Sequence, residues 1–516
     1  MILPQSSPKE SRAETGETIQ LYSATAAHWI KKHGGAAVVI LWVVISSVIH
    51  LYSVSIWYDE ALTMLTVSGH AKPDFSLGMT QFEPEADLRK ITFELYNQDV
   101  HPPLYFWTLA IWRVIFGSSL EVARSLSGLF VVGTCILLYR LACRSDMRWP
   151  WLPVAIYGLG AAGVEYAWNA RPYAMASFLI LFTHLLAQKR SKWAGICGAA
   201  SIATHYFAAL CVAPILMLKF VDEWKRDRTW VKQTAATFVI GVAPLLALLR
   251  IHLNARPHQY SDFSSWLEEL WALLKGSVAA GLPNSGLPGW GLAFVVVAGF
   301  ALAGIAWAWR HGKRFVPLMY LGFLCSFFVL ALVTDKSIAK MPDTYYLGIA
   351  APWLAMLVAY GVSTHPRWSP LLAITVFVGV VTAKPLVSST NYRQLATRIK
   401  TECSECVVVV GNGYAGAVPA SILYESGGMK VITANPGDTP QTIAKRAGDQ
   451  QPVMFVKTNE PPTIRIEDEF VNTYPSVWRG GYFEVFTQGT PMLRIDSDQA
   501  NRTAAPNPLE TARSRH

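Results

Sequence analysis

Residues 36–54 read AAVVILWVVISSVIHLYSV, with no Asp, Glu, Lys or Arg among them. About twenty such residues suffice to cross the hydrocarbon of a bilayer as a helix. Comparable runs return at about 122–143, 149–165, 173–188, 193–205, 206–221, 234–252, 289–309, 315–334, 345–361 and 369–386. Charged residues make up 15% of the 516, against about 25% in a soluble protein. The fold class expected is therefore a polytopic α-helical membrane protein of about eleven spans.

The first run follows a polar leader, residues 1–33, that ends near Lys31 and Lys32. The leader is too long for a cleavable signal and no small-residue cleavage site follows the run, so the reading is an anchored first span. With the N-terminus cytoplasmic, Arg140/Arg144/Arg148, Lys189/Arg190/Lys192, Lys219/Lys225/Arg226/Arg228/Lys232 and Arg310/Lys313/Arg314 all fall on one side, as the positive-inside bias requires. The stretch PPLYFWTLAIWRVIFG, 102–117, is read as an interfacial helix, because a further span there would reverse that register. The net charge of +9 is dispersed along the ends of the apolar runs, which does not suit nucleic-acid binding.

This register divides the chain into a cytoplasmic leader 1–33, a membrane domain 34–387 with a first outer loop 55–121, an extracytoplasmic domain 388–495 and a disordered polar tail 496–516. After Ser388 strand-like and helix-like patterns alternate, which predicts a small α/β fold. There Gly411, Gly413 and Gly416 have G-x-G-x-x-G spacing, but KVITAN ends in Asn435 where a ribose-binding acid would stand and Pro419 crowds the following helix. The reading is a tight turn in an accessory domain. Cys403 and Cys406 form a C-x-x-C, open at this level between a small disulfide and an inert pair; a zinc site would need two more ligands nearby. The other five cysteines lie in apolar runs as small hydrophobes.

The chemistry-bearing residues gather at the outer ends of the early runs. Asp59 and Glu60 follow the first run, and HPPLYFW begins at His101. EYAWNARPYAM covers 165–175, and THYFAAL begins at Thr204. Any one of these has a plain alternative: a carboxylate there caps a helix or completes a salt bridge, Arg171 snorkels, His205 ends a helix, and His101 caps the helix opened by Pro102. Their shared depth favours a site.

Taken together, Asp59-Glu60, HPPLY at 101–105, VARSLSGLF at 122–130, ARPYA at 170–174 and HY at 205–206 resemble the polytopic glycosyltransferases of the GT-C fold. The likeness is to the bacterial family 39-like enzymes related to protein O-mannosyltransferases and to the lipid A aminoarabinose transferase, and it covers roughly residues 36–220. It implies a bacterial inner-membrane enzyme, with its C-terminal domain on the periplasmic side, that moves a hexose or pentose from a polyprenyl-phosphate donor to a lipid, polysaccharide or protein acceptor.

On that reading Asp59 is the general base, with Glu60 as helper or competitor, and His101, Arg171 and Lys340 hold the donor phosphate. Tyr105, Glu165, Asn169, Tyr173, His205, Tyr206 and Tyr345 line the substrate site. One base without a carboxylate nucleophile implies a single displacement with inversion. The chain departs from its relatives at Asn169, where they commonly carry an acid, and at KMPDTYY, where they often carry Arg-Tyr; Lys340 cannot form the bidentate fork of an arginine. No metal site is assigned, although Mg²⁺ or Mn²⁺ at Asp59 stays open. The competing functions are a flippase of lipid-linked sugars, which calls for paired halves with polar groups at mid-bilayer, and an O-antigen ligase or polymerase, which calls for basic residues in one large outer loop.

Overall fold

A computed structural model of the chain describes residues 33–52, 55–69, 84–98, 101–255, 265–282, 290–334, 337–338, 346–368, 370, 392–411, 417–426, 429–434, 440–448, 453–458, 476–480 and 483–488. The described residues separate into two compact units, one within 33–370 and the other within 392–488.

The first unit is helical. It opens with α1 (His33–Tyr52). Then come α2 (Tyr58–Val67), α3 (Leu88–Gln98), α4 (Leu104–Phe116), α5 (Leu120–Arg144), α6 (Leu152–Leu159), α7 (Ala161–Trp168), α8 (Tyr173–Gln188) and α9 (Trp193–Thr204). A 3₁₀ turn, Tyr206–Ala208, leads into α10 (Ala209–Glu223), α11 (Arg228–Ala255), α12 (Trp266–Ala279), α13 (Trp290–Arg310), α14 (Phe315–Val333) and α15 (Ala351–Thr364).

Among the described residues five helices are long and apolar enough to cross a membrane: α1, Leu120–Arg144, Arg228–Arg250, Gly291–Arg310 and Phe315–Val333. A sixth span arises if α7 and α8, which meet at 117°, count as one. The eleven expected runs are thus not eleven long helices. The run at 149–165 breaks at Gly160, the runs at 193–205 and 345–361 form shorter helices, and the run at 206–221 is a 3₁₀ turn followed by α10. At 1.5 Å per residue a helix of fifteen residues reaches about 22 Å, short of the ~30 Å hydrocarbon layer. The run at 369–386 lies outside the described residues apart from residue 370.

Close backbone contact sets much of the packing. α13 crosses α15 through Gly304 and Gly361: a Cβ on Gly304 would lie 1.9 Å from the Leu357 carbonyl oxygen, and one on Gly361 would lie 2.0 Å from that of Phe300. Small residues allow this approach where lipid gives no hydrophobic drive for helices to associate. α15 is correspondingly buried along nearly its whole length, with Trp353 and Tyr360 at 1% exposure. α4 buries Tyr105, Phe106, Leu109, Ala110 and Arg113 and leaves Ile111, Val114, Ile115 and Phe116 exposed, the two-faced pattern of a helix at a lipid boundary.

The second unit contains α16 (Tyr392–Glu402), β1 (Val407–Gly411), α17 (Ala417–Ser426), β2 (Val431–Ala434), α18 (Pro440–Ala447), β3 (Val453–Thr458), β4 (Ser476–Gly480) and β5 (Phe483–Gln488). The sheet runs β2-β1-β3-β5-β4, with β1 parallel to β2 and β3, and β5 antiparallel to β3 and β4. Val407 to Val410 are all buried, as suits a central parallel strand covered on both faces. Cys403 and Cys406 close a disulfide between α16 and β1. Of the glycine motif, Gly411 ends β1, while Gly413, Gly416 and Asn435 lie outside the described residues.

Gly304→Leu forces α13 and α15 apart and is expected to cost at least about 1–3 kcal/mol. The check is a lower thermal unfolding midpoint of the detergent-solubilised protein, with Gly291→Leu, which has open space around it, leaving the midpoint unchanged.

Candidate active site

The adjacent acids Asp59 and Glu60 lie in the first turn of α2, where the positive end of the helix dipole favours carboxylates. Successive residues on a helix point about 100° apart, so the two side chains part company at once.

Glu60 points inward and is fully buried against Arg124 of α5. The guanidinium donates Nε–H to Oε1 at 2.9 Å and Nη2–H to Oε2 at 2.6 Å, and neither side chain has any exposed surface. Arg124 also donates to the Leu51 and Ser55 carbonyls at 3.2 and 3.1 Å and lies 5.6 Å from the Trp168 ring. The Ala170 backbone N–H donates to Glu60 Oε1 at 2.8 Å. This bidentate pair therefore joins the end of the first span, α2, α5 and the turn at 169–171. Glu60 thus has both carboxylate oxygens engaged by Arg124 and the Ala170 N–H in a buried position, whereas its neighbour Asp59 does not.

Asp59 points the other way, its side chain 24% exposed. Arg171 lies beside it, Nη2 to Oδ2 at 3.6 Å, and donates Nη1–H to the Asp59 carbonyl at 3.3 Å and to Thr63 Oγ1 at 3.0 Å. Arg171 Nη2 also lies 3.2 Å from His101 Nε2. A guanidinium only donates, so in this contact Nε2 is the accepting atom. Asp59, His101 and Arg171, expected together, form one contact group.

Arg171 reaches this position because α7 ends at Trp168 and Pro172 opens α8, leaving Asn169 to Arg171 unwound. The Arg171 N–H donates to the Asn169 carbonyl at 2.7 Å, and the Asn169 side-chain oxygen accepts from Trp57 Nε1 at 3.1 Å. Helix α7 begins equally abruptly. A Cβ on Gly160 would lie 2.7 Å from the Ile156 carbonyl oxygen and 3.0 Å from that of Gly281. The Ala161 and Ala162 N–H groups donate to the carbonyls of Leu282 and Ala280 at 2.9 and 3.0 Å, satisfying donors that a helix start leaves bare.

Next to the charged group stands an aromatic wall. His205 and Tyr173 have ring centroids 5.2 Å apart, His205 and His101 5.8 Å, Tyr173 and Tyr166 5.4 Å in a stack, and Tyr346 is 6.1 Å from both Tyr173 and His205. His205 accepts from the Phe207 N–H at Nδ1, the helix-end role considered for it, while Nε2 is buried with no hydrogen-bond partner among the described residues. Asn169 Nδ2 and Glu165 Oε2 are in the same condition. Glu165 makes no ion pair with Arg171 or His101. Tyr105 is buried 3.4 Å from Ser127 Oγ, and loss of water pushes its phenol above the ordinary tyrosine range. Tyr206 begins the 3₁₀ turn, half-buried. Lys340 and Tyr345 lie outside the described residues.

Three further residues shape the site without having been singled out: Arg124, Thr63 and Trp57. Arg124 had a signal, since an arginine near the end of an apolar run needs a buried partner. Thr63 and Trp57 had none. Among the described residues no group of three or more His, Cys, Asp or Glu could hold a metal. Among the described residues the charged neighbour of the Asp59 carboxylate is the Arg171 guanidinium.

No family model matches the chain, and no curated protein matches it. Among solved structures, ArnT from Cupriavidus metallidurans bound to undecaprenyl phosphate aligns over 88% of this chain and 98% of its own, with a TM-score of 0.53 and 14% identity. The chain shares the GT-C fold of ArnT. The apo state of that protein aligns over 90% of this chain and 98% of its own, at 13% identity and a TM-score of 0.40. The expected resemblance therefore holds at the level of the fold, and the chain is a multi-pass membrane protein.

Arg124→Ala leaves the Glu60 carboxylate buried without its partner and is expected to cost about 3–5 kcal/mol. In a membrane-fraction immunoblot it should abolish or sharply reduce the folded protein, whereas Asp59→Asn should accumulate at the wild-type level.

Proposed function

We propose that the protein is a glycosyltransferase of the bacterial inner membrane that moves a sugar from a polyprenyl-phosphate carrier to an extracytoplasmic acceptor. The observation that carries the reading is the group formed by Asp59, Arg171 and His101. It combines a partly exposed carboxylate with an arginine fixed by Thr63 and His101, at the end of the first span of a GT-C fold. The undecaprenyl phosphate bound in the related ArnT structure supports a donor of the same chemical class.

In the proposed reaction the acceptor hydroxyl gives its proton to the Asp59 carboxylate as its oxygen bonds to the anomeric carbon. The bond from that carbon to the phosphate oxygen breaks, and its electron pair leaves with the polyprenyl phosphate. Arg171 supplies positive charge for the departing phosphate, and His101 holds Arg171 through Nε2. Lys340 is proposed as a second phosphate partner. A single carboxylate base gives inversion at the anomeric carbon. No step is routed through a metal.

Tyr173, His205 and Tyr346, whose rings are packed at 44–81° to one another, are proposed to border the sugar site. Tyr105, Glu165, Asn169, Tyr206 and Tyr345 are proposed to complete the pocket around its hydroxyl groups. The sugar, a hexose or a pentose, enters from the donor; the acceptor is a glycan, lipid or protein of the envelope. The Cys403–Cys406 disulfide supports an oxidising, periplasmic location for the C-terminal unit, since such bridges persist outside the cytoplasm.

Asp59→Asn removes the proton acceptor and is expected to lower transfer by about 10²–10⁴-fold while protein level and undecaprenyl-phosphate binding stay near wild type. The check compares intact masses of lipids, surface glycans and exported proteins from wild-type, Asp59→Asn and deletion strains. The deletion and Asp59→Asn strains should lose the same sugar increment in one fraction. A deletion strain that differs from wild type while Asp59→Asn does not would overturn the role of Asp59.

A further inference from the structure

The helices that carry the site have a second end. α8 leaves the site at Tyr173 and stops at Gln188, α9 starts at Trp193 and returns to His205, and α10 follows the turn at 206–208 and stops at Glu223. Sixteen residues at 1.5 Å each put the far end of α8 about 24 Å from Tyr173. The α8–α9 and α10–α11 loops come together there, since Arg190 Nη2 of the first lies 2.9 Å from Glu223 Oε2 beside the second.

Residues 189–192 and 219–232, the two loops and their flanks, hold eight Lys and Arg against three Asp and Glu. Of those eight cations, only Arg190 has an ion-pair partner among the described residues. Both loops are closed by their own backbone. The Arg190 and Ser191 N–H groups donate to the carbonyls of Ala187 and Leu186 at 3.1 and 2.9 Å, and the Arg226 and Asp227 N–H groups donate to that of Glu223 at 3.0 and 2.8 Å. The Asp227 carboxylate accepts from the Trp230 N–H at 2.9 Å, as the cap of α11.

Below the charges run two exposed apolar stripes, each ending in a tryptophan. On α10 Met217 and Val221 lead to Trp224, and on α9 Ile196 leads to Trp193, all of them exposed. Spacings of three and four residues keep each stripe on one face of its helix. Lys192 Nζ lies 5.7 Å from the centre of the Trp193 ring and Arg228 Cζ 5.8 Å from that of Trp224, within cation–π range. The order along each stripe is apolar, aromatic, cationic. A lipid monolayer matches it with acyl chain, interface and headgroup.

We propose that this end of α8 to α11 is a docking surface for anionic phospholipid headgroups on the membrane face opposite the site, with Lys192 and Arg228 as the phosphate contacts above Trp193 and Trp224. The uncompensated positive charge requires an anion, and the apolar stripes continuous with it place that anion on a lipid. Arginine offers a phosphate two parallel N–H groups, and lysine offers a point charge. The inference concerns the end of the helices away from the site and does not rest on the transferase reading.

The experiment titrates the full-length protein in neutral detergent with phosphatidylglycerol or with phosphatidylcholine of the same acyl chains and counts bound lipid by native mass spectrometry. Two cations at one headgroup give an expected preference of the wild type for phosphatidylglycerol of about thirty-fold. Lys192→Gln/Arg228→Gln should remove the preference, and Lys192→Arg/Arg228→Lys should keep it. Arg89→Gln/Lys400→Gln, which takes the same charge from exposed positions on α3 and α16, should leave it intact. Should the glutamine pair fail to accumulate, Lys192→Gln alone should lower the preference about five-fold.

Equal affinity of the wild type for the two lipids overturns the proposal. A preference lowered as much by Arg89→Gln/Lys400→Gln as by Lys192→Gln/Arg228→Gln also overturns it, because net charge alone then accounts for the binding. If the two lipids bind equally while polyglutamate binds the wild type and not Lys192→Gln/Arg228→Gln, the face belongs to an acidic protein and lipid docking is overturned.

Discussion

The arrangement of this site depends on the buried ion pair of Glu60 and Arg124. An arginine placed in an apolar helix of a membrane protein is costly unless its charge and its donors are all met. Glu60 meets Nε and Nη2, and the carbonyls of Leu51 and Ser55 take up further donors. A pair so fully engaged fixes the start of α2 against α5 and, through the Ala170 N–H, against the turn at 169–171. Because Asp59 is the next residue on the same helix, fixing Glu60 inward also fixes Asp59 toward Arg171.

That second contact needs a helix to stop. A continuous span from 161 to 188 would have spent the Ala170 N–H on its own backbone and carried Arg171 around the helix. Pro172 prevents this by removing a donor and disfavouring helical geometry in the residue before it. The result is an unwound turn between α7 and α8, which meet at 117°, with a backbone N–H for one acid and a guanidinium for the other. The abrupt start of α7 at Gly160 is made tolerable by the carbonyls of 280 and 282. Irregular backbone at a membrane boundary is tolerated where protein, and not lipid, satisfies it.

Much of this was visible in the residues. Apolar runs announced a helical membrane chain, and Asp59, His101, Arg171, Tyr173 and His205, scattered over nearly 150 positions, do meet. Other features were hidden for physical reasons. Hydropathy measures transfer from water and is blind to whether a run is one long helix or two short ones, so the break at Gly160 went unmarked. Adjacent carboxylates are chemically alike in a string of letters; their opposite directions follow from helical geometry and from which of them finds an arginine. Glu269 lies between two apolar runs with nothing nearby in sequence to mark it, and its partners Ser337 and Ile338 are about seventy positions away.

The sequence by itself determined that the chain is a multi-pass helical membrane protein, that its polar chemistry collects at one end of the early spans, and that a small α/β unit follows. These properties depend on composition, local periodicity and charge bias, which are additive along the chain. Only the tertiary structure decided which acid faces the site, that Arg124 belongs to its foundation and that Arg171 serves Asp59. Those outcomes are set by pairings between residues far apart in the chain, each fixed by the requirement that a charge removed from water find its complement.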